Sequence, residues 1–298
     1  MVSGVAGWVG GRSMSISSSR TGGHRARPVL RPVPGERAAR GATTGPRLRA
    51  VAVTLGLLVV AVAAYLLYRS SLLAGAALED RALANAGRLI RLEDRLGLAW
   101  EGEAQRSWLA HGIAGRALAT FYALAYWPLV AAGLIVPLYR ARPVFRRLRN
   151  ALMISGALGL GTILAMPTAP PRLLHGYQDE VALVGLGSIA HPSSLLNPYA
   201  AFPSFHVAWT LLAALGVASV LSSRSWRSVV WLVPVAMSVA VVTTGNHFVL
   251  DVVAGWMLAA AGWELGPAMQ RQLDAHRERT NTRRSKRVEE RDRVRLSP

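Results

Sequence analysis

The sequence of 298 residues contains no cysteine, which excludes disulfide scaffolds, thiolate metal sites and thiol nucleophiles. Charged side chains are also scarce, at 17% of the chain, and Lys286 is its one lysine. Hydrophobic residues, by contrast, make up 52% of the chain, and the mean hydropathy is positive. This composition is too apolar for an ordinary soluble domain and is typical of a membrane protein.

The net charge of +18 raises the question of nucleic-acid binding. The arginines, however, concentrate at the two termini and in short segments between apolar runs, and aromatic residues are not interleaved with them. Positive charge next to apolar runs is explained by membrane topology and by anionic lipid headgroups. We therefore expect the bilayer, and no nucleic acid, to be the partner of these arginines.

Six apolar runs have the length that is needed to cross the hydrocarbon core of a bilayer. They occupy residues 50–68, 117–138, 150–166, 205–222, 228–244 and 248–267. The sequence therefore predicts an all-α fold, a polytopic membrane helix bundle with six transmembrane helices. A signal peptide is the alternative for the first run, but the long polar segment before it favours a retained anchor.

The segments around these runs complete the predicted organisation. Residues 1–49, rich in Gly, Ser, Pro and Arg, are predicted to be a disordered basic N-terminus. Residues 50–269 form the predicted membrane domain, and residues 270–298 form a basic tail. Residues 70–112 are predicted to contain one or two amphipathic interfacial helices. Their apolar positions are Leu83, Ala86, Leu89, Ile90 and Leu96, with charged residues that include Glu93 between them.

Basic residues alternate between the two sides of the predicted bundle. With six spans, the two termini and the segments 139–149 and 224–227 all lie on one side, and all four are basic. The positive-inside rule makes that side the cytoplasm. The segments 70–116, 167–204 and 245–247 then face the exterior. We therefore predict a multi-pass protein of the cell membrane with both termini in the cytoplasm.

His247 and Asp251 stand at the start of the sixth predicted span. A spacing of four residues places the two side chains on one face of a helix, where the carboxylate can accept a hydrogen bond from one imidazole nitrogen. The other nitrogen is then a better nucleophile or base. A polar pair that only stabilises the end of a membrane helix would have the same spacing.

Three further residues are predicted on the same exterior side. Ser204, in a Pro-Ser turn, can cap the helix that follows, and the positive end of that helix attracts an anion. His206, in the first turn, can protonate a leaving oxygen. Arg172, in a proline-rich segment, suits phosphate oxygens. Each has a simpler alternative, as a cap, an interfacial histidine or a headgroup anchor, but together with the histidine–aspartate pair they indicate a phosphoryl-transfer site.

The motifs Phe202-Pro-Ser-Phe-His206 and His247-x-x-x-Asp251 resemble the second and third signature motifs of the type 2 phosphatidic acid phosphatase superfamily, which includes the vanadium haloperoxidases. Together with Pro167-Thr-Ala-Pro-Pro-Arg172, they are more similar to the branch that contains fungal inositol phosphorylceramide synthases and many actinobacterial membrane proteins. The resemblance covers residues 75–267, and only the three motifs are specific.

The resemblance implies a role for each candidate residue. His247 would attack phosphorus and become phosphohistidine, Asp251 would orient it, and His206 would protonate the departing oxygen and then activate the acceptor. Ser204 and Arg172 would hold the phosphoryl oxygens, and neither a metal nor a cofactor is expected. The implied activity is that of an integral membrane phosphatase or phosphotransferase acting on lipid-linked phosphate esters at the outer leaflet.

Two positions depart from the pattern of that family. Ala165 stands where the first motif usually has a lysine, and Val241 where the third usually has an arginine. The loss of two cations favours a phosphodiester over a monoester, so transfer of an inositol-phosphate-type head group to a lipid acceptor is the main alternative. Arg69 or Arg116 are candidates to replace a cation, and His175 is a candidate to touch the substrate.

Other classes of function stay open. A metal-dependent membrane enzyme would use His206, His247 and Asp251 as a two-histidine, one-carboxylate site, but it gives Arg172 no role. A transporter would bury its polar residues near the membrane midplane, whereas here they gather at one face. A catalytically silent membrane scaffold is the remaining alternative, because of the missing cations.

Overall fold

The structure, a computed structural model, describes residues 76–107, 110–191 and 197–296 together with positions 55 and 62. The predicted all-α fold is confirmed for the described residues, in which the one extended pairing is an isolated β-bridge between Thr168 and Ala200. The predicted N-terminal segment 1–49 lies outside the described residues. So does the first predicted span, 50–68, apart from positions 55 and 62.

The helices are α1 (Ala76–Leu96), α2 (Glu101–Arg106), α3 (Gly112–Arg140), α4 (Arg142–Ala165), α5 (Glu180–Leu183), α6 (Gly187–Ala190), α7 (Phe205–Ala218), α8 (Arg224–Thr243) and α9 (Val249–Leu296), with a 3₁₀ turn at Pro171–Leu173. By length and composition, α3, α4, α8 and α9 can each cross a membrane. They correspond to the second, third, fifth and sixth predicted spans. The total of six spans stays a prediction.

Helix α7 corresponds to the fourth predicted span but has only 14 residues, about 21 Å at the rise of an α-helix. It packs against α3, α4, α8 and α9, and half of its residues are buried. Its apolar character therefore reflects a position inside the bundle. Ser204 caps it as predicted, because Ser204 Oγ accepts a hydrogen bond from the backbone N–H of Val207 at 3.4 Å.

Helices α4 and α9 pack closely and run antiparallel. A Cβ atom at Gly262 would lie only 2.6 Å from the carbonyl oxygen of Ala151, so this contact requires a glycine. One turn or more further along both helices, a Cβ atom at Gly159 would lie 3.0 Å from the side chain of Leu258. Small residues are the usual means by which membrane helices approach each other closely.

The antiparallel helices place two kinds of segment at opposite ends of the bundle. We call one the arginine end: it holds the α3–α4 junction and the start of α8. We call the other the motif end: it holds residues 166–191, 197–204 and 244–248. The predicted inter-helix segment 139–149 was too long, because α4 begins at Arg142 and Pro143 suits a first helical turn. The predicted tail, likewise, is helical and continuous with α9 as far as Leu296.

Helix α1 packs on the motif end with a face that overlaps the predicted one, since Ala86, Leu89 and Ile90 belong to both. Ala82, Ala86 and Leu89 are buried, and the core cluster that they form includes Phe248. The position that continues this face is Glu93, which is fully buried, so its assignment to the polar face was wrong. The predicted apolar residues Leu83 and Leu96 are instead exposed. Glu93 faces inwards because its carboxylate accepts a hydrogen bond from a backbone N–H of α9.

Candidate active site

His247 lies in the turn before α9, and its side chain is held by two acceptors. Nδ1 lies 2.8 Å from the carbonyl oxygen of Ala201 and 3.2 Å from Oδ2 of Asp251. Because a carbonyl oxygen can only accept, Nδ1 carries the hydrogen and Nε2 keeps its lone pair. Burial lowers the pKa of His247 to about 3, so the ring is neutral near neutral pH. The structure thus brings the predicted pair together and leaves the lone pair of Nε2 free of the bonds that hold the ring.

His206 occupies the first turn of α7, where two tyrosines of α3 flank its ring. The ring centroids of Tyr122 and Tyr126 lie 4.5 and 4.2 Å from that of His206. The two tyrosines are four residues apart, so they lie on one face of α3. The centroids of His206 and His247 are 6.1 Å apart. The two imidazoles are therefore close enough for a single phosphoryl group to contact both.

Arg172 is bonded to the loop that carries His247. Its backbone N–H donates to the carbonyl oxygen of Gly245 at 2.8 Å, and its guanidinium donates to Oδ1 of Asn246 at 2.6 Å. Nε of Arg172 also lies 3.5 Å from Oδ2 of Asp179. Burial lowers the pKa of Arg172, but a guanidinium stays charged in proteins. The structure therefore places a buried cation beside the residue that precedes His247.

Gly245 makes this close approach possible. Its φ of +72° lies in the left-handed region, which L-residues with side chains rarely adopt. A Cβ atom would also lie 2.6 Å from Nε2 of Gln105. The turn between α8 and α9 thus depends on a glycine directly before Asn246 and His247.

Ser204 is fully buried between the starts of α7 and α9. Its backbone N–H donates to the carbonyl oxygen of Asp251 at 3.1 Å, while its hydroxyl oxygen caps α7. The hydroxyl hydrogen is not used in the cap and can be donated to an anion. All five residues singled out from the sequence, Arg172, Ser204, His206, His247 and Asp251, therefore lie at the motif end.

His191, which sequence reasoning did not place in the site, contacts the same cluster. Its Nε2 lies 2.7 Å from Oδ1 of Asn246, and its Nδ1 lies 3.6 Å from Oδ2 of Asp179. Burial lowers the pKa of His191 to about 4, and the charge of Arg172 contributes. His175, the candidate from the sequence, is exposed. The sequence signal that could have placed His191 in the site is the position of its partner Asn246 directly before His247.

The positions of the two missing cations differ in their surroundings. Ala165 is exposed at the end of α4. Val241 is fully buried in the apolar core, and its carbonyl oxygen accepts hydrogen bonds from the backbone N–H groups of Asn246 and His247, both at 3.0 Å. Arg116 is exposed on the first turns of α3.

The alternative of a shared metal site would require the side chains of His206, His247 and Asp251 to direct lone pairs at one metal ion. His247 and Asp251 direct Nδ1 and Oδ2 towards each other as donor and acceptor, so these atoms are engaged in a hydrogen bond. Within the part of the chain that the structure describes, no group of three or more His, Cys, Asp or Glu residues has an arrangement that could hold a metal ion. Arg69, the other candidate cation, lies outside that part.

A comparison with protein families gives a match over most of the described helices. A model described as the PAP2 superfamily matches residues 87–265, which is more than half of the chain. The matched range begins in α1, ends in α9 and includes all five candidate residues. Neither the comparison with curated proteins nor the comparison with solved structures gives a match.

Proposed function

The chain belongs to the PAP2 superfamily, and on that premise we propose that it is an integral membrane phosphatase or phosphotransferase acting on lipid-linked phosphate esters. Membership supports chemistry on phosphate esters, and four apolar helices of spanning length support a place in the membrane. The observation that carries the proposal is the 6.1 Å between the rings of His206 and His247, each of which is held in place by other groups.

In the first half of the proposed reaction, Nε2 of His247 attacks phosphorus. An N–P bond forms while the bond from phosphorus to the leaving oxygen breaks, and protonated His206 gives its proton to that oxygen. Positive charge develops on the ring of His247. The carboxylate of Asp251 and the carbonyl of Ala201 stabilise that charge through Nδ1–H.

In the second half, neutral His206 takes a proton from the acceptor. The acceptor oxygen attacks phosphorus, the N–P bond breaks, and His247 regains its lone pair on Nε2. Water as the acceptor gives hydrolysis, and an alcohol gives transfer. The same two rings serve both outcomes, so the acceptor is decided by what reaches His206.

Arg172 and Ser204 are the proposed phosphate-binding residues. Arg172 brings a positive charge to the loop of His247, and Ser204 brings a hydroxyl hydrogen at the start of α7. The transfer of an inositol-phosphate-type head group is the second candidate. It is supported by Val241, whose burial in the core leaves an apolar side chain where the family usually has a cation, because a diester carries less negative charge than a monoester.

We place the motif end at the exterior and both termini in the cytoplasm. The support is the distribution of charge: arginines concentrate at the arginine end, in the last turn of α3, the first turns of α4 and the first turn of α8. The substrate would then be a lipid of the outer leaflet.

The test is turnover by the purified protein in detergent micelles. Phosphatidic acid and a phosphodiester lipid, each with radiolabelled phosphate, are supplied with and without chelator, with vanadate, and with water or a lipid alcohol as acceptor. We expect chelator-resistant turnover, inhibition by vanadate, and acid-labile label on the protein. His247→Ala lowers turnover by about 10⁴-fold or more and abolishes labelling, because it removes the nucleophile. His276→Ala, an exposed histidine in the far half of α9, is the matched control.

Full activity in His247→Ala would refute the assignment of the nucleophile. Turnover that chelator abolishes and that iron or zinc restores would favour the metal-dependent alternative. The absence of turnover on both lipids, in protein shown to be folded, would favour a silent scaffold.

A further inference from the structure

The start of α9 is capped by three carboxylates from three different helices. The backbone N–H of Phe248 donates to Asp251 of α9 itself at 2.9 Å. That of Val249 donates to Oε1 of Glu101 in α2 at 2.7 Å, and that of Leu250 donates to Oε1 of Glu93 in α1 at 2.6 Å. The first N–H groups of a helix have no partner within the helix, so each carboxylate satisfies one of them.

These carboxyl groups are buried, and burial disfavours the ionised form of a carboxyl group. Glu93 and Asp251 are fully buried, and Glu101 is 1% exposed. Oε2 of Glu93 has no hydrogen-bond partner among the described residues. Burial raises the pKa of Glu93 to about 8, to which the charges of Glu101 and Asp251 contribute, and burial also raises the pKa of Glu101. The protonated form of Glu93 is therefore favoured near neutral pH.

We propose that Glu93 and Glu101 are positioning residues of the phosphoryl-transfer site, which hold the first turn of α9 through its backbone N–H groups so that Asp251 and His247 stay in register. This inference rests on the proposed function. Val249 and Leu250, whose amides the pair holds, stand between His247 and Asp251 in the chain. A shift of this turn would therefore change the 3.2 Å contact between the two site residues.

The two helices that carry the pair also hold the loop of Arg172. Nδ2 of Asn85 in α1 donates to the carbonyl oxygen of Pro167 at 2.8 Å. Gln105 of α2 exchanges two hydrogen bonds with the backbone of Gln178, at 2.8 and 3.2 Å. Helices α1 and α2 thus connect the segment around Arg172 to the start of α9. Asn85 and Gln105 make the contacts with that segment, and Glu93 and Glu101 make the contacts with α9.

The proposal has a consequence for pH, which follows from the groups around the pair. Asp94 of α1, Tyr177 of the loop and Asp251 of α9 interact electrostatically with the glutamates. The pKa of Glu93 in the folded protein, about 8, lies above its usual value of 4.5. Its contribution to stability is therefore complete below about pH 4.5 and is lost as the pH rises through about 8, when a second buried charge appears.

Alanine and glutamine variants separate the proposal from a general effect on folding. Glutamine keeps an acceptor for the α9 amide and, like the protonated acid, is neutral. Near pH 7 we expect Glu93→Gln and Glu101→Gln, each made singly, to retain kcat within about 3-fold, and Glu93→Ala and Glu101→Ala to lower kcat by about 10-fold to 100-fold with little change in KM. Near pH 9, each glutamine variant should retain more of its activity than the wild type does.

The matched controls are Asp80→Asn and Glu103→Gln, which change exposed acids of the same two helices. We expect both to match the wild type at each pH. Alanine variants with wild-type kcat would overturn the proposal. So would glutamine variants that lose as much activity as the alanine variants, because shape and not the acceptor would then be what matters.

Hydrogen exchange gives a readout that does not depend on turnover. Mass spectrometry of peptides that span Val249 and Leu250 should show exchange at least about 10-fold faster in the alanine variants than in the wild type and the glutamine variants. Unchanged exchange in the alanine variants would overturn the positioning role. If the wild type exchanges slowly but turns over neither lipid, the proposed function fails while the capping of α9 stands.

Discussion

Both ends of the bundle bury polar side chains, but they differ in how the hydrogen-bonding capacity of those side chains is used. At the arginine end, Arg149 is 3% exposed and donates to Oδ1 of Asn150 at 2.7 and 3.0 Å and to Oε1 of Gln270 at 3.0 Å. Asn150 in turn donates to the carbonyl oxygen of Gly266 at 3.1 Å. The bonds to Gln270 and Gly266 join α4 to α9, so this cluster is a structural junction.

At the motif end, some buried polar atoms have no hydrogen-bond partner among the described residues. Oε2 of Glu93 and Oδ1 of Asp251 are buried without a hydrogen-bond partner among the described residues. Nε2 of His247 keeps its lone pair, because Nδ1 carries the hydrogen. The side chains also come from α1, α3, α7, α9 and the loop between α4 and α7. The comparison shows that burial of polar side chains does not by itself indicate a functional site. Buried polar atoms without hydrogen-bond partners, on side chains that come together from several helices, are the better indication.

The largest expected difference between the two ends is the side of the membrane on which each lies. Because the chain has no cysteine, His175→Cys and Ser225→Cys each give one reactive thiol, at an exposed position of the motif end and of the arginine end respectively. We expect a membrane-impermeant maleimide to label His175→Cys in intact cells, and Ser225→Cys only after permeabilisation. The unmodified chain is the control for background. The reverse pattern would invert the proposed topology.

The next difference is chemical and uses the same substitution at both ends. Arg172→Lys should lower turnover by about 100-fold, because an ammonium cannot reproduce the two-point contact of a guanidinium with phosphate and with Asn246. Arg149→Lys should lower the free energy of unfolding by about 1–3 kcal/mol and leave turnover per folded molecule within about 2-fold. Turnover and thermal unfolding of each variant are measured side by side. Equal losses of turnover in the two variants would remove the distinction between site and junction.

The smallest expected difference concerns mild acid. The pKa of His247 is lowered from 6.5 to about 3 by burial, so its contribution to stability is present above pH 6.5 and is lost as the pH falls towards 3. Between about pH 7.5 and about pH 6, the wild type should lose about 1 kcal/mol more than His247→Gln, a difference of about 2–4 °C in Tm. Arg149→Lys at the arginine end should lose as much as the wild type. A His247→Gln variant with the acid sensitivity of the wild type would contradict this account.

The parts of the molecule that could be predicted from the sequence are those with a local signature. Helices α3, α4, α8 and α9 appear as apolar runs, and the helix start at Ser204 appears as a Pro-Ser turn. The convergence of Arg172, His206 and His247 followed from a predicted topology that put all of them on one side. For the helices and the helix start, a pattern within about twenty residues of the chain was sufficient, whereas the convergence needed the distribution of charge along the whole chain.

The parts that could not be predicted depend on contacts between distant residues. Glu93 reads as a solvent-exposed acid of an amphipathic helix, because its acceptor role involves an amide 157 residues away. Tyr122 and Tyr126 read as ordinary apolar positions of a span until His206 is placed between them. His191 contacts the site through a hydrogen bond with Asn246, which lies 55 residues further along the chain. No periodicity records such pairings.

Val241 joins the turn of His247 through its main chain alone, since its carbonyl oxygen accepts from the amides of both Asn246 and His247. Every amino acid possesses that carbonyl, so evolution can exchange the side chain here while the nucleophile stays anchored. Under the proposed function, substrate preference and reaction would then depend on different atoms of one residue, so that the first could change while the second is kept.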